Sequence, residues 1–281
     1  MKTKSYPILH AAANSLAKRY FYKFLRSFLI PIDYTRTKEI PAMLDLSGLP
    51  EYRDRKLRIL DIGSPQILSL ALGKYSDLWE ITYLNSWEPE LEDLRQKAST
   101  LGLSRLKIIH ADITRFDTVA GLGTFDYIFS CSVFEHIHPE DGGDTLAAKI
   151  VPRLLKPSGV FVFSVPYYTE RFNEYLAGDV YAMKGTLQNK TFFQRFYDEK
   201  SLQDQIITPT GLRISGKTYI GERYYSVNNI KKRMAFLVGL GKRAFIMGRS
   251  FNTISAVFME EARDYKKLKK PYLAINALIK D

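Results

Sequence analysis

The stretch LRILDIGSPQILSLALGKY, residues 57–75, decides the fold class of this chain. Apolar residues crowd positions 57–62, which predicts a buried β-strand. Gly63 can take the positive φ that a tight turn requires, and a helical pattern of apolar residues resumes at Ile67. A buried strand, a glycine turn and a helix form the arrangement with which α/β proteins hold nucleotides.

The turn after this strand departs from the dinucleotide-binding fingerprint. That fingerprint places several glycines here, whereas this chain has Gly63 followed by Ser64 and Pro65. We predict that Ser64 is the N-cap of the following helix and that Pro65 is its first residue. A proline lacks the backbone N–H with which a turn would hold a diphosphate, so a diphosphate ligand is disfavoured. S-adenosylmethionine fits this turn, because its amino-acid end needs only a close backbone approach and a few hydrogen bonds.

Further apolar runs alternate with helical stretches along the chain. The runs are mostly continuous, as is typical of parallel strands that are covered on both faces, and they begin at Ile81, Leu106, Phe125 and Gly159. The stretches EPELEDLRQKAS and DTLAAKIVPRLL have helical patterns. This order predicts an α/β fold with a doubly wound, Rossmann-like, mostly parallel sheet that binds ligands at the carboxyl ends of its strands. Residues 211–223 and 271–280 are predicted to form two late strands.

The composition excludes several classes of protein. The chain has 281 residues, of which 46% are hydrophobic, and this is enough to form a full core. Its single cysteine, Cys131, cannot form an intrachain disulfide, and its apolar runs are shorter than the roughly 20 residues that span a bilayer. We therefore predict a cytoplasmic protein.

The formal net charge of +11 is concentrated in two segments. Residues 1–40 hold eight Lys or Arg against two Asp or Glu, and residues 228–270 hold eleven against three. One interpretation is a surface for an anionic partner, namely a membrane, a phosphorylated glycan or a nucleic acid. A membrane partner would place the protein peripherally at the inner membrane surface. The other interpretation is a pair of solvated helical faces.

Four motifs carry a resemblance to a known family: LDIGS, HADITRFD, FDYIFSCSVFEHI and LLKPSGVFVFSVP occur in this order. Together they resemble the class I S-adenosylmethionine-dependent methyltransferases, in particular the small-molecule and glycan-modifying branch. The resemblance covers about residues 57–223, with a weaker similarity in the last strand. It implies S-adenosylmethionine as the cofactor. It also implies a seven-stranded sheet whose last strand is antiparallel and inserted beside the fifth.

We predict two additions to the methyltransferase domain of residues 51–281. Residues 1–50 form an amphipathic helical cap, and residues from about 225 to 270 form a basic helical insertion. The apolar stripe of the cap comprises Leu9, Ala13, Leu16, Tyr20, Phe24 and Phe28. The apolar face of the insertion comprises Ile230, Met234, Leu237, Gly241 and Phe245.

The resemblance implies roles for residues at the ends of the first two strands. Asp61 and Gly63 would line the methionine end of the cofactor, with Ser64 beside them. Asn85 stands where the family usually has an acidic residue that binds the ribose hydroxyls, and an asparagine loses the charge-assisted hydrogen bond. Glu88 is a candidate to replace this acidic residue. An electrostatic role for Glu88 in the first turn of a helix is equally open.

The ends of the third and fourth strands complete the implied cofactor site. Asp112 would accept a hydrogen bond from the adenine amino group, and Ile113 would offer its N–H to the ring; the alternative for Asp112 is a turn-capping aspartate. Ser130 would lie where the family backbone passes beneath the transferred methyl group. Cys131 is predicted to be a small buried residue rather than a nucleophile.

The stretch SVFEHIHPEDGGD is the most polar one near the predicted chemistry. The resemblance makes His136 the candidate catalytic residue, as a general base for the acceptor, and a role in orienting its loop is equally open. Glu135 and His138 are second candidates. No metal site is predicted, because HIHPED lacks the i, i+4 spacing of helical histidine ligands.

The region after the fifth strand is rich in aromatic residues and covers the acceptor pocket in the family. Tyr167, Tyr168, Glu170 and Arg171 are therefore the predicted acceptor contacts, although part of these aromatics would serve the core instead.

We predict a methyltransferase that modifies an oxygen atom of a sugar, a lipid-linked glycan or a related small acceptor. One alternative is an inactive binding protein with the same fold, suggested by Asn85 and the irregular GSPQ turn. The other is a nucleic-acid methyltransferase, suggested by the basic segments. Its usual Asn/Asp-Pro-Pro-aromatic signature is replaced here by SCSV, so nucleic acid is the less favoured partner.

Overall fold

The computed structural model describes residues 5–19, 35–179, 190–223 and 259–281. Three residues of the predicted cap stripe, Tyr20, Phe24 and Phe28, lie outside this part of the chain. So do all five residues predicted for the apolar face of the basic insertion. The cap as a separate unit and the insertion as a helix therefore stay predictions.

Most of the described chain lies in long helices and strands. The helices are α1 (Tyr6–Arg19), α2 (Arg36–Ser47), α3 (Ile67–Tyr75), α4 (Glu88–Leu101) and α5 (Gly143–Leu154). The strands are β1 (Leu57–Ile62), β2 (Trp79–Asn85), β3 (Leu106–His110), β4 (Phe125–Cys131), β5 (Leu155–Pro166), β6 (Phe172–Ala177), β7 (Lys190–Phe196), β8 (Arg213–Glu222), β9 (Met259–Ala262) and β10 (Pro271–Ile279). Short helical turns connect them at Leu49–Tyr52, Phe116–Val119, Ala120–Leu122, Phe134–His136, Glu199–Leu202, Gln203–Ile207, Thr208–Thr210 and Tyr265–Lys267.

The main sheet has the strand order β3-β2-β1-β4-β5-β10-β8-β9, and a separate hairpin pairs β6 with β7. Strands β1 to β5 are parallel, and β10 inserts antiparallel between β5 and β8. The mostly parallel Rossmann-like sheet and its inserted antiparallel strand are confirmed. The predicted number of seven strands is wrong for the described residues, because β9 adds an eighth strand along β8. The sequence MEEA of β9 is short and polar, so it gives no strand signal.

Helices cover both faces of the sheet, and this explains the continuous apolar runs. Ile59 of β1 packs into the cluster that contains α1, α2 and α3, whereas its neighbour Leu60 packs into the cluster that contains α5. Both side chains are completely buried. A central parallel strand covered on both sides needs apolar residues at successive positions, which is what residues 59 and 60 supply.

The N-terminal helices pack against the same face as α3. Leu9 and Ala13 of α1 are buried, and Leu16 contacts the cluster around α4. In α2, Ile40 and Met43 are completely buried. These apolar residues of α1 and α2 share one buried cluster with α3 on this face of the sheet. None of the helices in the described ranges combines the length and hydropathy needed to cross a membrane.

Candidate functional site

A cavity of about 430 Å³ opens at the carboxyl ends of β1 to β4, where the strand order reverses between β1 and β4. This reversal is the place where open α/β sheets bind ligands. The cavity is lined by five of the predicted site residues, Gly63, Asn85, Asp112, Ile113 and His136. It is also lined by residues that the sequence analysis did not single out, among them Arg36, Trp87, Glu90, Ser132 and Val133.

The turn at residues 63–65 offers no amide to an anion. Gly63 has a φ of +61°, and its N–H donates to the Leu84 carbonyl at 2.8 Å. The N–H of Ser64 donates to Asp61 Oδ1 at 3.3 Å, and Pro65 has no N–H. A diphosphate would therefore find none of the donors that phosphate-binding turns supply.

Ser64 does not cap the following helix, so this prediction is wrong. The helix α3 begins at Ile67, and Ser64 Oγ instead accepts a hydrogen bond from the Cys131 N–H at 2.9 Å. This bond ties the β1 turn to the end of β4 across the cavity floor. The side chain of Ser64 is completely buried and does not line the cavity.

Asp61 also lies behind the cavity wall, which corrects its predicted contact with the cofactor. The residue is completely buried, and its Oδ2 accepts a hydrogen bond from Ser69 Oγ at 2.5 Å. Burial raises the pKa of Asp61 to about 7, although the hydrogen bonds from Ser64 and Ser69 oppose the shift. Through these contacts, Asp61 holds the turn at residues 63–65 in place from beneath.

We expect Asp61 to make the protein less stable as the pH rises. The pKa of Asp61 in the folded state lies above the value of about 3.9 that it has in an unfolded chain. The stabilisation by the protonated carboxyl, relative to the charged form, is therefore fully present below about 3.9. It is lost as the pH rises through about 7. Between pH 5 and 8, the unfolding free energy of wild type should fall by on the order of 2–3 kcal/mol more than that of the variant Asp61→Asn. Urea unfolding measures both.

The matched control for this measurement is Asp117→Asn, which alters an exposed carboxylate paired with Arg115. It should leave the pH dependence as in wild type. Burial raises the pKa of Glu135 to about 8. Glu135 therefore adds the same pH dependence of stability to all three proteins. Equal slopes for Asp61→Asn and wild type would contradict the assignment.

Asn85 and Glu90 together form a polar cluster at the end of β2. Asn85 Nδ2 donates to Glu90 Oε2 at 3.1 Å, and the Tyr83 hydroxyl donates to Glu90 Oε1 at 3.1 Å. Burial raises the pKa of Glu90. The predicted substitute Glu88 does not line the cavity, since it is exposed and binds Arg95 at 2.7 Å. The acidic group at this end of the cavity is therefore Glu90, from the first turn of α4.

Asp112 fits both of the roles considered for it. Its Oδ1 accepts hydrogen bonds from the N–H and the Oγ of Thr114, each at 2.8 Å, as a turn-capping aspartate does. Within the described part of the chain, its Oδ2 accepts no hydrogen bond, and the N–H of the neighbouring Ile113 has no acceptor. An acceptor and a donor are thus adjacent at the end of β3.

The end of β4 presents Ser132 and Val133 to the cavity rather than Ser130. Ser130 is completely buried, and its Oγ lies 3.5 Å from the Ile62 carbonyl, so its predicted contact with the cofactor is corrected. Cys131 is buried as predicted, and burial raises the pKa of its thiol. Ser132 has a φ of +51°, which is uncommon for a residue other than glycine.

Arg36 at the start of α2 brings a positive charge to the cavity. Its Nη1 donates to Ser132 Oγ at 2.7 Å and to Glu39 Oε2. Glu39 is completely buried, and its Oε1 accepts from Ser132 Oγ at 2.7 Å and from Ser164 Oγ at 2.6 Å. Burial by itself would lower the pKa of Arg36, but Glu39, with contributions from Cys131 and Glu135, raises it overall. The guanidinium is therefore held in place by β4 and β5.

His136 lies in a loop, residues 134–140, that we call the histidine loop. Its Nδ1 lies 2.6 Å from the Phe193 carbonyl, and a carbonyl only accepts hydrogen bonds. Nδ1 therefore carries the proton of the neutral ring, and Nε2 carries the lone pair. Burial lowers the pKa of His136, with a smaller contribution from Arg36, so the ring is neutral at pH 7. His138 also lines the cavity and packs edge-on against Phe192.

The predicted acceptor contacts do not line this cavity. Tyr167 is buried among the rings of Tyr219 and Tyr265, so the prediction that it contacts an acceptor is wrong. Tyr168, Glu170 and Arg171 are exposed and precede β6, and their contact with an acceptor stays a prediction.

Comparison with known proteins bears on these observations. Residues 60–163 match the family model described as a methyltransferase domain. The matched segment runs from β1 into β5 and contains the strands whose ends form the cavity. A search of curated protein sequences found no match. The domain match and the fold support the resemblance to class I methyltransferases.

Solved structures share this methyltransferase fold at low sequence identity. Coclaurine N-methyltransferase bound to N-methylheliamine and SAH is 15% identical, with a TM-score of 0.52 over 86% of this chain and 72% of that chain. An S-adenosylmethionine-dependent methyltransferase from Clostridium acetobutylicum is 15% identical, with a TM-score of 0.52 over 95% and 98%. The [4+2]-cyclase SpnF is 18% identical, with a TM-score of 0.53 over 84% and 79%. Since the fold also serves a cyclase, the reaction must be argued from the site.

Proposed function

We propose that this chain is an S-adenosylmethionine-dependent methyltransferase that modifies a hydroxyl group of a sugar or a related small acceptor. The observation that carries the proposal is the distribution of polar groups around one cavity at the switch point of the sheet. The adjacent residues Asp112 and Ile113, the polar pair Asn85 and Glu90, and the cationic Arg36 line this cavity together with His136. When bound, S-adenosylmethionine supplies a methyl group activated by a positively charged sulfur.

The cavity residues fit the parts of this cofactor in order. Asp112 Oδ2 would accept a hydrogen bond from the adenine amino group, and the Ile113 N–H would donate to a ring nitrogen. Glu90 and Asn85 would bind the ribose hydroxyls in place of the acidic residue that the family has at the end of β2. The Nε and Nη2 donors of Arg36, for which the described residues offer no acceptor, would bind the methionine carboxylate. The absence of amide donors at residues 63–65 agrees with a ligand that has no phosphate.

The histidine is suited to an acceptor that loses a proton. A hydroxyl oxygen must lose its proton as it is methylated, and Nε2 of a neutral His136 is in the form that accepts one. A general base contributes roughly 10²–10⁴ to the rate, whereas positioning of the reactants contributes about 7–11 kcal/mol. The side chains of Tyr168, Phe172 and Tyr175 are between 41 and 45% exposed, and flat rings of this kind stack on sugars.

We expect the variant Glu90→Gln to weaken S-adenosylmethionine binding by about tenfold or more, because hydrogen bonds to a charged acceptor contribute roughly 1.5–3 kcal/mol. The matched control is Glu88→Gln, in the same helical turn but exposed and outside the cavity. Its dissociation constant should stay within about twofold of wild type. Isothermal titration calorimetry measures all three proteins.

The same titration tests the proposed function. Wild type should bind S-adenosylmethionine and S-adenosylhomocysteine and should not bind a pyridine dinucleotide. Transfer of a radiolabelled methyl group to a panel of free sugars then tests the acceptor class. Failure to bind either ligand at millimolar concentration would contradict the proposal and favour an inactive scaffold.

A further inference from the structure

Arg195 of β7 contacts the histidine loop from its buried side. The side chain is 1% exposed. Its Nη1 donates to the carbonyls of Phe134 and Glu135 at 3.4 and 3.2 Å. Its Nη2 donates to the carbonyls of Pro139 and Glu140 at 2.8 and 2.6 Å. One guanidinium thus holds the backbone on both sides of His136.

The strand β7 makes a further contact with the histidine itself. The Phe193 carbonyl, two residues before Arg195, accepts the hydrogen bond from His136 Nδ1. The rings of His136 and Phe193 lie 4.9 Å apart between centroids. The same strand therefore fixes the ring tautomer of His136 and the path of the loop that carries it.

The arrangement requires a guanidinium and not merely a positive charge. Four carbonyls receive donors from the two Nη atoms, and a lysine has at most three donors at one point. A buried cation also needs compensation, and Asp144 Oδ2 lies 3.6 Å from Arg195 Nε. Tyr197 donates to the same oxygen at 2.8 Å. A buried ion pair is weak evidence of net stabilisation, whereas the four carbonyl contacts fix the backbone path of the histidine loop directly.

We propose that Arg195 is a positioning residue that holds His136 in the orientation in which Nε2 receives the acceptor proton. This inference rests on the proposed function only for the role of His136, since the contact between Arg195 and the loop stands without it. Arg195 does not line the cavity. It therefore acts through the loop and should not alter cofactor binding.

The test compares Arg195→Lys with the control Tyr197→Phe, which removes a hydrogen bond from the same buried cluster and leaves the four carbonyl contacts in place. The first readout is the titration of the His136 ring protons by NMR, which needs neither cofactor nor acceptor. In Arg195→Lys, the apparent pKa should rise toward the ordinary value of about 6.5, because a loosened loop lets water reach the ring. In Tyr197→Phe, it should stay as in wild type.

The second readout is kinetic. We expect kcat of Arg195→Lys to fall by about 10–100-fold, while the affinity for S-adenosylhomocysteine stays within about threefold. If Arg195→Lys does not fold, Asp144→Asn replaces it, with amide hydrogen exchange as its readout because removing the Asp144 charge itself shifts the His136 titration. Exchange in the histidine loop should become faster as the guanidinium loosens, and unchanged exchange would overturn the inference. An unchanged His136 titration in a folded variant would overturn the inference. If the titration shifts but no cofactor binds, the positioning role stands and the proposed function fails.

Discussion

Replacing Gly63 by valine is expected to abolish binding of S-adenosylmethionine, with at least a 100-fold loss of affinity, or about 2.7 kcal/mol. The backbone at this position has a φ of +61°, which a β-branched residue adopts only under strain. A Cβ here would lie 3.2 Å from Val133 Cγ1 and 3.9 Å from Asn85 Nδ2, both on residues that line the cavity. The substitution would therefore displace the wall against which the cofactor is proposed to lie. Calorimetric titration with S-adenosylhomocysteine measures the effect.

The control for Gly63→Val is Gly102→Val at the end of α4. Gly102 has a similar φ of +71°, but a Cβ there meets nothing within 4 Å. Both variants should lose thermal stability, because both force a side chain into the left-handed region. Only Gly63→Val should lose affinity for the ligand. A folded Gly63→Val protein that binds as tightly as wild type would show that the cavity at the β1 turn is not the cofactor site.

Replacing His136 by alanine is expected to lower kcat by about 10²–10⁴-fold, the usual contribution of a general base. Burial lowers the pKa of His136, so the base form predominates at neutral pH. The rate of wild type should therefore rise with pH through a value below the ordinary 6.5 of histidine. In His136→Ala this acid limb should disappear, while affinity for S-adenosylhomocysteine should change little. Steady-state kinetics between pH 4.5 and 8 measure both effects.

His138 provides the comparison for this experiment. It lines the same cavity, but its ring packs against Phe192, and His138→Ala should lower kcat by less than about tenfold. If His138→Ala lost as much activity as His136→Ala, the assignment of His136 as the general base would be wrong. If His136→Ala kept the full wild-type rate, catalysis would come from positioning of the reactants and not from a general base at His136.

The strands that form the cavity could be predicted from sequence because each has its own local pattern. The run LRILDI is apolar at successive positions, and Gly63 follows it, so the strand and the turn are both encoded within a few residues. Asp112 and His136 could be predicted for the same reason, since each directly follows an apolar strand or a recognisable motif. Strand ends are where parallel sheets bind ligands, so their polar residues are natural candidates.

The other site residues depend on contacts between distant parts of the chain. Arg36 reaches the cavity only because α2 packs against β5 and β10, and Arg195 lies 60 residues beyond the Glu135 carbonyl that it binds. The misassigned residues show the same limit. Ser64 has the chemistry of an N-cap, yet the Cys131 N–H lies close enough to use its hydroxyl. Glu88 and Glu90 share one helical turn, and only the three-dimensional position of α4 decides which of them faces the cavity.

The short strand β9 has a consequence for how copies of this protein meet in solution. A long, flat, apolar border strand exposes backbone groups that recruit other chains and begin aggregation. Here β9 pairs with β8 over only four residues, two of which are the acidic Glu260 and Glu261. The opposite border, β3, is five residues long and ends with the exposed His110. Within the described residues, both borders are brief, and the exposed residues of β3 are the polar Lys107 and His110, so the sheet offers little for intermolecular strand addition.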